Sequence, residues 1–532
     1  MAAIVQEMLQ RGDLVVPTLN GAPYLEKPPL YHILAALACG VTGGVTPWGL
    51  RLPSALLALA TGAWVAWIAL RQSSFRAAGW AGFLLLSSFY FFEIGETAVV
   101  DMTLTAAASL ALGAAYLAIR EPEGRDRWVR VFWVGVGAAF LAKGVVGPAV
   151  VLAPVAAALL MFRRGDLAGA FLRPNAGMAF SLVLSLAWVI LLAAAGGRFY
   201  LAEVFLHNAV GRLYQHPEIL PSTGLLGEHV EPWYYYLLRM PAKVLPWFAA
   251  WAAALVAAIP RPGASRRLED VFLPLAFAVN LLAFSLSDTK REVYLLPVLP
   301  VSFLHVALWL DRRVPRRPGG RDPWLFGILG FSLVLATLMS AVLPWVMARD
   351  GLFSGPTAAF LACVSLILGL ITARRHWRRD AAGLLRGAMG IWAFCLVVMV
   401  GLAAPAMDRR VWRPIMDPFR RAAALREAGA SVAAAGLSEP QVGAACLTLG
   451  APVRMLDSVE EARAFLAGPG PAVLVTGRRW WKEAGAKGLE GVELPQTGDA
   501  LARQRLDRIA VLVANPAAAG GRNPIVARLD RP

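Results

Sequence analysis

The sequence predicts an α-helical polytopic membrane protein with a small α/β domain at its C-terminal end. Three observations predict it. The 532 residues are 58% hydrophobic and only 16% charged, with mean hydropathy +0.57, whereas a soluble chain carries about 25% charged residues. The apolar residues gather in blocks of roughly 17–25, enough to cross about 30 Å of hydrocarbon. After residue 405 these blocks stop, and short apolar runs alternate with amphipathic stretches.

Taken in order, Ile4, Val5, Met8 and Leu9 fall on one face of a short helix that Gly12 ends. Residues 13–29 are polar and extended, with Asn20-Gly21 as a turn signal. Residues 30–46 read as an interfacial helix, because Gly40, Gly43, Gly44 and Pro47 interrupt them. Candidate spans follow near 51–70, 77–92, 102–119, 131–144, 146–162, 176–195, 243–260, 271–287, 294–310, 324–347, 356–373 and 384–404, which makes 12. The chain thus divides into an outer loop region 1–50, a transmembrane region 51–405 and an α/β domain 406–532. In the last, a helix is expected over 418–428 and strands near 442–449, 472–476 and 509–514. Ser458-Val459-Glu460-Glu461 is a capping box that opens a helix over 459–467. This domain has no glycine fingerprint for phosphate and no His/Cys cluster, so it reads as a structural or acceptor-docking module.

The net charge of +16 does not point to nucleic acid. The basic residues sit in short loops between spans: Arg71/Arg76, Arg120 to Arg130, Arg163/Arg164, Arg261 to Arg267, Arg312 to Arg321 and Arg374 to Arg379. The positive-inside rule assigns that side to the cytoplasm. Residues 1–50, 93–101, 196–242, 287–293 and everything after about 405 then lie outside. Cys39, Cys363, Cys395 and Cys446 are scattered without metal-ligand spacing and read as bystanders. Residues 1–30 lack the basic start and apolar run of a signal peptide.

The strongly polar constellations all fall on the outer side. Glu26-Lys27-Pro28-Pro29-Leu30 pairs a carboxylate and an amine on a backbone stiffened by two prolines. It suits a phosphate-binding Lys beside a carboxylate that orients it or holds a metal. Glu93, Glu96 and Asp101 lie within nine residues; Asp101 either caps the helix that begins at Met102 or serves a site. Lys143-Gly144 interrupts an apolar run, as a snorkelling Lys or a functional one. His207 and Arg212 lie in one short stretch that suits a phosphate or metal-linked carboxylate. Trp233-Tyr234-Tyr235-Tyr236 reads as an interface belt or a sugar-stacking surface. Lys290-Arg291, followed by Tyr294, breaks the positive-inside pattern, and binding a lipid phosphate accounts for the break. Cations and carboxylates converging at an outer-leaflet cavity fit group transfer from a lipid phosphate. The cations steady the departing phosphate, and a carboxylate deprotonates the acceptor.

These motifs, in this order, resemble the bacterial branch of the protein O-mannosyltransferase and aminoarabinose transferase superfamily, membrane glycosyltransferases of the GT-C class. The resemblance covers essentially the whole chain. It rests on Glu7-Met8 through Gly12-Asp13, residues 16–31 (VPTLNGAPYLEKPPLY), Arg51-Leu52-Pro53-Ser54, the Asp101 segment, residues 141–148 (LAKGVVGP), 207–212 (HNAVGR) and 287–300 (SDTKREVYLLPVLP). It implies a polyprenyl-phosphate-linked sugar donor, transfer on the periplasmic side of the bacterial inner membrane, and inversion at the anomeric carbon. The acceptor is a lipid A-like glycolipid, another envelope glycan or a protein. No organic cofactor is implied. Lys27 matches the Lys that contacts donor phosphate, and Arg212, Lys290 and Arg291 would line the same phosphate site. Glu26 and His207 match positions for a divalent metal, and Asp101 matches the second acidic motif. Lys143 and Tyr294 complete the candidate set.

One departure stands out. The family begins with a membrane helix followed by an Asp-Glu pair, whose Asp is the expected base, a few residues before the stretch that starts here at Met1. Met1 is therefore expected to be an internal methionine of a longer reading frame, which the upstream DNA tests. Asp13, beyond the first helix, is the nearest surviving candidate for that base. The competing readings are a catalytically degenerate homologue and a non-enzymatic glycolipid binder or transporter. A transporter would show inverted repeats and polar residues near mid-span, whereas here the polar residues gather at one surface.

Overall fold

The computed structural model describes residues 1–205, 230–259, 267–315, 322–377, 380–408, 413–493 and 510–515. Among these, eight helices are long and apolar enough to cross a membrane: Pro47–Gln72, Asp101–Arg120, Ala176–Phe205, Leu268–Leu286, Glu292–Arg313, Pro323–Arg349, Gly355–His376 and Ala381–Met407. Phe75–Leu86 and Phe89–Gly95, bent by 68°, make a ninth if taken as one broken span. The other three expected spans are helical but weaker. Arg125–Lys143 opens with a charged turn, while Val146–Met161 and Phe248–Ala258 are short. Twelve expected segments therefore become eight or nine spans by length and composition.

Local chemistry sets the ends of these helices. Thr46 accepts from the Gly49 N–H at 3.0 Å, with Pro47 in the first turn where its missing N–H costs nothing. Asn175 and Ser74 cap Ala176–Ala202 and Phe75–Leu86 in the same way. The bend after Leu86 is held from outside: Trp392 donates to the Ser87 carbonyl at 2.6 Å, and Trp247 to its hydroxyl at 3.0 Å. The short helix beyond the bend leads to Asp101.

The helix Asp101–Arg120 is the axis of the bundle. It is buried along nearly its whole length and packs against Pro47–Gln72 and Arg125–Lys143. Its twenty residues span about 30 Å, and its two ends carry different chemistry. At the far end Glu121 accepts from Arg71 (2.6 and 3.0 Å), Gln72 (2.7 Å) and Trp128 (2.9 Å), which ties three helices together. Near that end Asp311 accepts from Arg76 at 2.8 Å and from Ser73 at 2.6 Å. The arginine-rich loops are thus partly consumed by bracing the bundle.

The C-terminal domain is a five-stranded sheet with helices on both faces. The strands are β3 (Ser431–Ala435), β4 (Arg454–Leu456), β5 (Ala472–Gly477), β6 (Val492–Glu493) and β7 (Ala510–Ala514), in the order β4-β3-β5-β7-β6. β3 runs parallel to β4 and β5; β7 runs antiparallel to β5 and β6. Alternate residues face opposite layers: Ala434, Val473, Val475 and Leu512 pack on one side, and Ala433, Leu474, Val511 and Val513 on the other. Residues 442–449, expected as a strand, are the end of the helix Glu439–Leu449. Ser438 and Gln441 form its capping box, and Gly450 at φ 69° ends it. A short apolar run fits either state, and here the caps decide. The helices expected over 418–428 and 459–467 are Arg413–Glu427 and Val459–Leu466.

The N-terminal helix Ala2–Arg11 joins the two parts. Ala3 enters the core of the C-terminal domain, while Val5 packs with Tyr31, Ala35 and Ala36 of the helix Leu30–Val41. Ile4 and Met8 are buried as the pattern requires, but Leu9 is 42% exposed. Ahead of Leu30–Val41, β1 (Thr18–Leu19) and β2 (Ala22–Pro23) form a hairpin closed by Asn20 and Gly21. Both turn residues have positive φ, 56° and 77°, as the commonest two-residue hairpin requires.

Candidate active site

A pocket opens at the near end of the Asp101–Arg120 helix. Its lining includes Glu26, Lys27, Pro28, Asp101, Lys143, Gly144, Ser287, Arg291 and Tyr294. Four of the sequence stretches singled out above, more than 260 positions apart at their extremes, meet there.

Asp101 is the first residue of its helix and does not cap it; Val100 holds the cap position. Its carboxylate instead accepts a hydrogen bond and ion pair from Lys143, at the end of Arg125–Lys143. Both side chains are about six-sevenths buried, with 14% and 15% exposure. Lys143 does not snorkel away: its ammonium lies 5.1 Å from the centre of the Tyr294 ring. Gly144 takes φ 58° and lets the chain turn sharply into Val146–Met161. A Cβ there would meet Pro28 at 4.0 Å, so the Glu26-Lys27 loop passes directly over this turn.

Arg291 lines the pocket from extended backbone (φ −131°, ψ 143°) and makes no ion pair with a described residue. Its carbonyl accepts from the Tyr236 hydroxyl at 3.2 Å, which fixes the backbone. Lys290 goes the other way. It is 4% exposed and donates to the carbonyls of Ser287 and Glu231, the latter at 2.7 Å. Neighbours on an extended chain point to opposite sides, and the sequence reading had joined them. Glu292 is neutralised by Lys243 at 2.5 Å and Arg239 at 3.8 Å, a cluster that sequence spacing gave no sign of.

The charge count of the lining is simple. Lys27, Lys143 and Arg291 face Glu26 and Asp101, and the Asp101–Lys143 pair cancels internally. Lys27 and Arg291 remain with Glu26, a net positive charge, so the pocket favours an anion. Beside it, burial and then nearby positive charge that includes Lys27 push His32 down to about 3, so its ring is neutral and adds nothing to this field. Glu96 is raised by burial, against the pull of Arg51. His207 and Arg212 lie outside the described residues. Among the described residues no group of three His, Cys, Asp or Glu is placed to hold a metal ion.

The bundle, its pocket and the α/β domain define a multi-pass membrane protein of the GT-C fold. Comparison with known proteins places it more closely. Residues 2–201 match the family of dolichyl-phosphate-mannose-protein mannosyltransferases. The chain is similar to undecaprenyl phosphate-alpha-4-amino-4-deoxy-L-arabinose arabinosyl transferases. It is 27% identical over 406 residues to that of Yersinia enterocolitica, covering 72% of this chain and 68% of the relative. It is 27% identical over 378 residues to one from Pseudomonas fluorescens strain Pf0-1, covering 69% and 62%. The chain thus spans about two thirds or less of most of the curated relatives it matches. In fold it is similar to ArnT from Cupriavidus metallidurans bound to undecaprenyl phosphate, with TM-score 0.74 and 20% identity over 98% of this chain and 93% of that one. The resemblance to aminoarabinose transferase-like GT-C proteins therefore holds in both sequence and fold.

Proposed function

We propose that this protein is an inverting glycosyltransferase that moves a sugar from a polyprenyl-phosphate donor to an envelope acceptor at the outer face of the bacterial inner membrane. The observation that carries the reading is the pocket itself, which Lys27 and Arg291 both line. The polyprenyl phosphate of the donor is the anion that fits. Arg291 offers a planar fork to two phosphate oxygens, and Lys27 a point charge.

The reaction is a single displacement. An acceptor hydroxyl oxygen forms a bond to the anomeric carbon as the bond from that carbon to the phosphate oxygen breaks. The electron pair leaves with the phosphate, whose growing charge Lys27 and Arg291 stabilise. The hydroxyl proton passes to a carboxylate at the site. Asp101, ion-paired with Lys143, is the lining carboxylate that takes it, and the pair keeps the Lys143 ammonium beside the Tyr294 ring. A divalent cation is part of the proposal: Glu26 and His207 would hold it, and it would supply further positive charge toward the phosphate. The C-terminal domain lies on the periplasmic side in this reading, and the acceptor is a lipid A-like glycolipid, another glycan or a protein.

The test is transfer in nanodiscs. The wild-type chain is given undecaprenyl phosphate-linked 4-amino-4-deoxy-L-arabinose, or another polyprenyl-phosphate sugar, with a lipid A acceptor. Product dependent on the polyprenyl-phosphate donor supports the reading. Tight donor binding without transfer to any acceptor would instead favour the binder.

A further inference from the structure

The Glu26-Lys27 loop is held by the C-terminal domain. Asn20, at the tip of the β1–β2 hairpin, pairs with one residue of that domain in both directions. Its Oδ1 accepts from the Val453 N–H at 2.6 Å, and its Nδ2 donates to the Val453 carbonyl at 3.0 Å. The Cys446 thiol donates to the same Oδ1 at 3.3 Å. Four residues on, the Tyr24 hydroxyl donates to Glu439 at 3.3 Å. Glu26 and Lys27 follow Tyr24 after a single residue, Leu25, and line the pocket. From the other side, Glu7 of the N-terminal helix, 6% exposed, accepts from the Thr18 hydroxyl (2.6 Å), the Asn20 N–H (2.7 Å) and the Gly21 N–H (3.1 Å).

A buried carboxylate that serves three donors in one hairpin makes that hairpin rigid. The Asn20 amide imitates a strand neighbour for Val453, so the hairpin is registered against the domain to within one residue. Only five residues then separate Asn20 from Glu26, and two prolines follow Lys27. Little freedom is left to the Lys27 backbone.

We infer that the C-terminal domain is the positioning platform of the anion-binding loop, and that Asn20 is the positioning residue through which it acts. The inference rests on the reading of the pocket as the donor-phosphate site. It gives the domain a role in the reaction without placing any of its residues in the pocket. A shift of the domain at Val453 is passed to Lys27 through the hairpin.

The experiment measures binding of undecaprenyl phosphate to the full chain in nanodiscs, together with donor KM and kcat. Asn20→Gly keeps the positive φ and deletes the amide clasp. Gln10→Ala, which removes a 3.3 Å contact to the Gly450 carbonyl at the same interface, is the control and should bind as wild type. Asn20→Gly is expected to weaken binding about tenfold or more and to raise KM with kcat little changed. Asn20→Asp, which keeps the acceptor for the Val453 N–H, recovers part of the loss. In a Lys27→Ala background Asn20→Gly should cost nothing further, because the clasp acts through Lys27. Should Asn20→Gly fail to fold, Tyr24→Phe runs the same cycle with a smaller expected loss. Equal losses in both backgrounds, or wild-type binding by Asn20→Gly, would overturn the inference. If the wild-type chain does not bind undecaprenyl phosphate, the donor-site reading falls, and this inference with it.

Discussion

Lys143 and Asp101, 42 positions apart, form an ion pair in the floor of the pocket. The pair neutralises itself, so Lys27, Arg291 and Glu26 set the sign of the rest of the lining. It also joins the start of Asp101–Arg120 to the end of Arg125–Lys143.

Because both side chains are mostly buried, breaking the pair strands a charge. Asp101→Asn or Lys143→Met is expected to lower stability by about 3 kcal/mol, and the double variant to recover most of it. Unfolding in detergent, followed across the four proteins of this cycle, measures the coupling. Additive losses would show that the two charges are held independently.

Lys290 and Arg291 should separate cleanly under mutation. Lys290→Met removes donors from the Ser287 and Glu231 carbonyls and is expected to lower the melting temperature, with donor affinity following only through stability. Arg291→Ala leaves the melting temperature nearly unchanged and weakens donor binding. Thermal unfolding and donor titration on the same preparations distinguish the two.

Their divergence also marks what the sequence could and could not disclose. The chemistry was legible because Asp101, Lys143 and Arg291 interrupt apolar surroundings, where each charge is costly and conspicuous, and because two prolines stiffen the backbone after Glu26-Lys27. Which of two adjacent cations faced the pocket depended on backbone alternation that a loop motif does not announce. Extended conformation at the family-like stretch 287–293 was the available signal. In the C-terminal domain β3 was missed because Ser431-Val432-Ala433-Ala434-Ala435 has three alanines, poor strand formers, and earns its place by packing between β4 and β5. The Lys243–Glu292 pair, like the Asn20–Val453 clasp, joins distant residues by tertiary contact alone.

Glu121 gives a pH prediction. Burial raises its carboxyl, but hydrogen bonds from Arg71, Trp128 and Gln72 outweigh this and hold it below the ordinary value of 4.5. A depressed folded value means that the stabilisation is complete above the unfolded value and is lost as pH falls through the folded one. Glu121→Gln should therefore be less stable than wild type at neutral pH. The gap should close as the medium is acidified below about 4.5, the unfolded value. Melting temperatures of both proteins between neutral and acid pH check the sign.

If Glu26 and His207 hold a divalent cation, a chelator should lower transfer and the added metal should restore it. Glu26→Gln should then be slow in both conditions and insensitive to the chelator. Transfer assayed with and without chelator in the two proteins makes the comparison.

The central claim is that the pocket between Lys27 and Arg291 takes the phosphate of a polyprenyl carrier. Titration of undecaprenyl phosphate onto the wild-type chain and Arg291→Ala in nanodiscs tests it most directly. Loss of a charge-assisted contact worth about 1.5–3 kcal/mol predicts saturable wild-type binding that weakens about ten- to a hundredfold in the variant. Equal affinity in the two proteins, or no saturable binding in either, would contradict it.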